Sequence, residues 1–432
     1  MDGHHFRRAA AGLTLLAAAA LAGVTGAAEI AVAPGELEPA LRAARPGDTL
    51  KLLAGIHRGP IELGIPLRLI GEPGAILDGD GRGTVVLVRA PGVEIADLRV
   101  RGGGADLGQD DAAIRFDRVE GGAVLRCHVE ARGFGIYLAA GGSHRIEGNV
   151  IEGDAGLPVA RRGNGIHLWH TERNEILDNE LASVRDGVYL SFAHDNLIRG
   201  NQGERLRYGI HYMYSERNTL MANRFTRCTG GIALMFSFDN HIEANVTAGN
   251  ARFGILLQQL ERSKLVANLV TGNGRGFYLE NSAANRFERN HMEANGVGAY
   301  LTAGSEGNVF TANHFDGNLV QVYRNHAGRN AWWDAGRGNR WSDYAGFDWS
   351  GDGIGDTPYR LETSSSALIA RRPRARWLWM SPLLALLDWW DLRWLDSGAV
   401  GVDAFDRFPL VGDEVAAPPL AASVAGRAGG SR

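Results

Sequence analysis

Short phrases of alternating apolar and polar residues recur along most of the chain. Ile176-Leu177-Asp178-Asn179-Glu180-Leu181 and Ile242-Glu243-Ala244-Asn245-Val246 are typical. Alternation over four to six residues, bounded by glycine and asparagine, predicts short strands. A glycine-led phrase marks each copy: Gly135-Ile136-Tyr137-Leu138, Gly165-Ile166-His167-Leu168, Gly187-Val188-Tyr189-Leu190, Gly209-Ile210-His211-Tyr212, and so on to Gly298-Ala299-Tyr300-Leu301. From Gly165 onward the step is 22 residues, once 23. Asparagines keep the same beat at Asn149, Asn179, Asn201, Asn223, Asn245, Asn268, Asn290 and Asn313. A second set, five residues earlier, runs through Asn174, Asn196, Asn218, Asn240, Asn285 and Asn308, with Ser263 in the vacant place.

Three registers held over many copies predict a solenoid, and the repeat is too short for the usual helical pairs. Two or three short strands per copy make one coil of an all-β, right-handed parallel β-helix, with coils stacked roughly 4.8 Å apart. Each coil buries its apolar residues only against its neighbours, so many coils are needed. The asparagines are expected to occupy left-handed turn positions and to bond side chain to side chain along the axis.

The pattern divides the chain. Residues 1–28 read as a secretory signal: Arg7 and Arg8 precede an apolar run, Leu13 to Val24, and small residues lead to Ala28. That run is shorter than the roughly twenty residues of a membrane span; an uncleaved anchor is the alternative. Residues 29–360 read as the β-helix, with a short helix over Leu37 to Ala43 capping its first coil. Gly102 to Asp111 and Glu152 to Gly163 are insertions in the stack. Residues 361–411 hold Trp377 to Trp394, which carries half of the ten tryptophans and is broken by Pro382, Asp388 and Asp391. This segment either docks on a membrane surface or a partner, or plugs the last coil. Residues 412–432, rich in Ala, Pro and Gly, read as a loose tail.

Composition narrows the functions. Cys127 and Cys228 are the only cysteines, too few for a disulfide scaffold, and they fall on coils too far apart to pair. The net charge of −4 comes with no basic face for nucleic acid.

Several motifs together resemble the NosD family: Ala44-Arg45-Pro46-Gly47-Asp48-Thr49, Leu69-Ile70-Gly71-Glu72, the asparagine repeats, Asn339-Arg340-Trp341-Ser342-Asp343-Tyr344, Gly351-Asp352-Gly353-Ile354-Gly355-Asp356-Thr357-Pro358-Tyr359, Ser381-Pro382-Leu383-Leu384 and Asp406 to Leu410. The resemblance covers nearly all of the mature chain, and the Trp-Ser-Asp-Tyr and Gly-Asp-Gly-Ile-Gly-Asp pair is its most specific part. It implies a periplasmic, non-enzymatic accessory protein for maturing the copper centres of nitrous oxide reductase. The implied partners are the membrane subunit and ATPase of an ABC transporter, the reductase itself and a copper chaperone.

Strand alternation then nominates copper ligands. The second and fourth residues after each repeat glycine share the outward face. They bring His167 and His211 into one row and Met213 and Met235 into another, the methionines on adjacent coils. Imidazole and thioether donors suit Cu(I). An apolar strip covered by a loop or partner is the competing reading of the methionines. Asp348, Asp352 and Asp356 form a candidate Ca²⁺ loop, set against a turn held by carboxylate-to-backbone bonds. The alternative function is a polysaccharide-acting β-helix enzyme (a lyase, hydrolase or C5-epimerase), since the fold alone does not choose. The aligned coils show no ladder of acids for it.

Overall fold

The computed structural model describes residues 27–325, 328–372, 378, 381–394 and 404–412. The leader expected over residues 1–28 lies outside these except for Ala27 and Ala28, and the tail over 412–432 except for Gly412. The chain winds into a parallel β-helix of three sheets with 13, 13 and 12 strands. One coil runs through Glu175–Leu177 in the first sheet, Glu180–Ala182 in the second and Asp186–Ser191 in the third. The next coil begins at Leu197–Arg199, directly in register, with Ile176 opposite Ile198 and Val188 opposite Ile210. Inward side chains stack into columns; Ile176, Ile198, Leu220, Ile242, Leu265 and Phe287 are all fully buried. Such columns are the reason for the period: each apolar residue meets its own equivalent one coil away.

Asparagine ladders close the corners. Asn179 donates from Nδ2 to Asn201 Oδ1 at 2.9 Å and from its backbone N–H to the same oxygen at 3.1 Å. Asn201 and Asn223 repeat this along the axis. A third ladder, Asn250, Asn273, Asn295 and Asn318, lines another corner. The expectation that asparagine takes the left-handed turn is corrected. The residue before it does so, as at Asp178, Ala222, Ala244 and Ala267, all with φ between 51° and 54°. The asparagine itself is held by its ladder bonds; its neighbour makes the corner, and that neighbour's amide bonds the next coil (Ala222 N–H to Glu243 O, 3.1 Å).

Both ends are covered. Near the first coil, helix α1 (Leu37–Ala43) forms between the strands Glu29–Val32 and Thr49–Leu52 and buries Leu37. At the other end aromatic rings pile onto the core: Trp332 on Phe310 at 4.4 Å, Trp341 on Phe315 at 4.3 Å, and Tyr359 on Trp341 at 4.3 Å. The plug is therefore built from the 332–361 region rather than from the helices that follow.

Those helices, α2 (Ser364–Arg371) and α3 (Pro382–Trp394), lie on the outer face of the third sheet. There Ile369 and Leu384 pack with Val297, Val320 and Tyr323. Leu383, Leu386, Leu387 and Trp390 of α3 remain exposed. No helix among the described residues is long and apolar enough to cross a membrane. The chain then returns as a short strap, Phe405–Asp406, antiparallel to Tyr359–Arg360. The strap belongs to the plug, so the expected 361–411 segment divides in two.

Candidate functional site

The outer face of the third sheet carries the candidate residues. Met213 and Met235 are register partners on the strands Tyr208–Met213 and Gly230–Phe238, and both are half-buried. Met235 packs against Ala233, Phe253 and Leu256. His211 lies two residues before Met213 on the same face but is only 7% exposed, under Tyr189 and Tyr208, whose ring centroids are each 5.0 Å from its own. The position lies on the expected outward face, where the bulky side chains of neighbouring coils cover it.

His211 is held by a group that the repeat does not announce. Asp186, fully buried, accepts from His211 Nδ1 at 3.0 Å and from Arg207 Nε at 2.8 Å, and a second contact joins Arg207 Nη2 to the same oxygen that holds the histidine. Burial alone would raise the Asp186 carboxyl, but its bonds to Arg207 and His211 outweigh that and hold it below the usual carboxylate range. Arg207 Nη2 also lies 3.2 Å from Nδ1, but a guanidinium can only donate, and the carboxylate, nearer at 3.0 Å, is the acceptor that takes the Nδ1 hydrogen. In the neutral ring Nε2 is then a bare lone pair, and it is buried without a hydrogen-bond partner. Sequence reasoning missed Asp186 and Arg207. The residue before each repeat glycine runs Phe134, Asn164, Asp186, Tyr208, Gly230, Phe253, Arg275 and Val297, so the single acid in that row was the available signal.

The structure separates His167 from this group. The Tyr189 ring stands between the two histidines, 4.8 Å from His167 and 5.0 Å from His211. Asn164 Nδ2 donates to His167 Nδ1 at 3.3 Å, and burial pushes the imidazole down to about 3. It is a neutral ring packed among Phe134, Tyr137 and Tyr189.

The loop of Asp348, Asp352 and Asp356 shows the carboxylate-to-backbone bonds of the turn set against the calcium reading. Asp348 accepts from the N–H groups of Gly351 (2.6 Å), Asp352 (3.3 Å) and Gly353 (2.8 Å). Asp352 accepts from Ile354 N–H and Asp356 from Trp349 N–H. The carboxylates turn onto their own loop, because a tight glycine-rich turn leaves amides that need acceptors. Among the described residues no three His, Cys, Asp or Glu side chains converge on a point that could hold a metal ion. The two thiols do not add to the set: they are unpaired and buried, and burial pushes Cys127 up to about 12 and Cys228 up to about 11. Imidazole and thioether are donor types that suit a soft ion such as Cu(I).

Beside the methionines runs a strained aromatic edge. His170, Phe192, Tyr214 and Phe236 occupy the same turn of successive coils with φ of 50–52°, an outlier for bulky side chains. Their rings stack at 4.8, 5.1 and 5.0 Å, which offsets part of the strain. Later coils place Gln259, Asn281 and Gly304 there.

The family model described as "Periplasmic copper-binding protein (NosD)" matches residues 147–346, a span that includes His211 and both methionines and ends before Asp348. A Pseudomonas aeruginosa protein named "Probable ABC transporter binding protein NosD" is 38% identical over 354 residues, 78% of this chain and 82% of that one. A Stutzerimonas stutzeri protein of the same name is 34% identical, over 78% of this chain and 81% of that one. Among solved structures, a mannuronic acid specific polysaccharide family 6 lyase from human gut microbiota aligns with TM-score 0.51 at 14% identity, covering 73% of this chain and 86% of the lyase. At that identity the likeness is one of fold.

Proposed function

The chain belongs to the NosD family, and from that premise we propose that it is a periplasmic factor that takes Cu(I) as cargo and presents it for assembly of a nitrous oxide reductase. Its relatives are named as ABC transporter binding proteins, which supports docking on the membrane subunit of such a transporter, driven by its ATPase. A copper chaperone is the natural donor. The observation that carries this reading is the orphaned His211 Nε2, which shares a face with an in-register methionine pair. Soft, uncharged donors bind Cu(I) without releasing a proton, which suits an ion that must be passed on. The exposed apolar side of α3 lies on the same outer face, at the coils of Val297 and Val320. A transporter subunit seated there would stand within a few coils of the copper donors.

Purified protein is expected to bind Cu(I), and Met213→Ala with Met235→Ala to weaken binding at least about tenfold. Competition with a chromophoric Cu(I) chelator measures this; an unchanged affinity removes the methionines as ligands. The polysaccharide-enzyme alternative draws only on likeness of fold, and both relatives carry binding-protein names.

A further inference from the structure

A fully buried carboxylate is costly unless it is paired and hydrogen-bonded. Asp186 is 0% exposed and is the only acid in its row, where other coils place Phe134, Asn164, Tyr208, Gly230 and Phe253. It makes no ladder bond of the kind that holds the asparagines. Its oxygens instead receive one neighbour from its own face, His211 on the next coil, and one arginine from the corner that precedes it, Arg207. The arginine supplies the compensating charge, and its raised pKa keeps it cationic. What the carboxylate then does to the histidine is specific. It accepts the Nδ1 hydrogen and leaves Nε2 with its lone pair, in a ring wedged between Tyr189 and Tyr208.

We propose that Asp186 is a positioning residue for copper: its carboxylate, charge-balanced by Arg207, holds His211 in the one tautomer and ring orientation in which Nε2 can ligate Cu(I). A ligating imidazole commonly has its other nitrogen tied to a carboxylate, which fixes the ring and raises its basicity. The proposal rests on the reading of His211 as a copper ligand. The competing account is a structural ion pair that only pins Arg207 to the preceding coil. The two differ in what they require of the apo protein: an ion pair is indifferent to the histidine tautomer.

Long-range ¹H–¹⁵N correlation spectra of apo protein with labelled histidine test this without copper. His211 is expected to show a protonated Nδ1 and an unprotonated Nε2. In Asp186→Asn the side-chain amide can donate to Nδ1, so the opposite tautomer should appear, and Cu(I) affinity should fall about 10- to 100-fold. Asp186→Glu, which keeps an acceptor and a charge, should recover most of that loss. A wild-type ring protonated on Nε2, or an Asn variant that folds and keeps both tautomer and affinity, overturns the proposal. If the Asn variant does not fold, the wild-type spectrum and the Glu variant still decide. Cu(I) that leaves the wild-type His211 resonances unmoved sinks the copper reading and this proposal with it. Movement on Cu(I) addition with no effect of either Asp186 variant sinks the proposal alone.

Discussion

Asn223 and His211 are both buried polar side chains, one in a corner ladder and one on the outer face of the third sheet. Asn223 donates to Asn245 and to Ile198 O and accepts from Asn201, so each of its side-chain polar atoms has a partner. His211 has Asp186 on one nitrogen and nothing on the other. The difference comes from the repeat. Asn223 is followed one coil later by another asparagine, whereas the coil after His211 offers Ala233. A periodic polar group is completed by its own successor. One that breaks the period must find a partner elsewhere, as His211 does in Asp186. Regular positions therefore report stability, and the irregular ones beside them are where a proposed site is sought.

The first way to break this contrast is at the ladder. Asn223→Ala strips the acceptor from the Asn201 amide and the donor from Ile198 O, and should cost about 3–4 kcal/mol. Urea unfolding followed by circular dichroism measures it; a loss below about 1 kcal/mol would show that the ladder is not what stabilises the corners.

The second is the ladder's end. The last asparagine, Asn339, donates its backbone N–H and its Nδ2 to Asp406 on the returning strap, and Trp341 Nε1 and Phe408 N–H donate to the same carboxyl. Burial pushes Asp406 up to about 6 from 3.8, even against these donors. Because the folded-state value is raised, the proton favours the docked strap. That contribution is complete below about pH 4 and is lost as the pH rises through about 6, a change of about 2–3 kcal/mol. Hydrogen exchange at the Trp341 indole should therefore quicken between pH 4 and 7 beyond its intrinsic rate, and should lose that step in Asp406→Asn. An identical profile in the variant would assign the titration to another group.

The smallest effect on stability is expected outside the stack. Deleting residues 377–394 removes α3 but leaves the Trp332–Trp341–Tyr359 plug, so the unfolding free energy should fall by about 1 kcal/mol or less. Capture of the transporter's membrane subunit should nonetheless be lost. Capture that survives would leave α3 as a cover for Val297 and Tyr323 alone.

Much of the architecture was legible because a stacked coil writes its spacing into the chain. The period, the strands, two of the three ladders and the pairing of Met213 with Met235 could all be read from equivalent positions. The third ladder, Asn250, Asn273, Asn295 and Asn318, keeps the same step but has fewer copies, so it stands out less in the sequence than the other two. The left-handed turns were assigned to asparagine on propensity, which lost to the ladder bonds that fix its conformation. The tryptophan-rich stretch resembled a plug by composition, yet the plug is Trp332, Trp341 and Tyr359, stacked directly on the core.

By itself the sequence determined the solenoid, its period and the face on which the methionines stand, because these follow from alternation and from each residue meeting its own copy. Only the folded chain decided that His211 is held through Nδ1 with Nε2 left unpartnered. Asp186, Arg207 and Tyr189 act on His211 across coils, at distances that no spacing rule encodes. A repeat specifies the neighbours that all coils share; a site is made by those that one coil does not share with the rest.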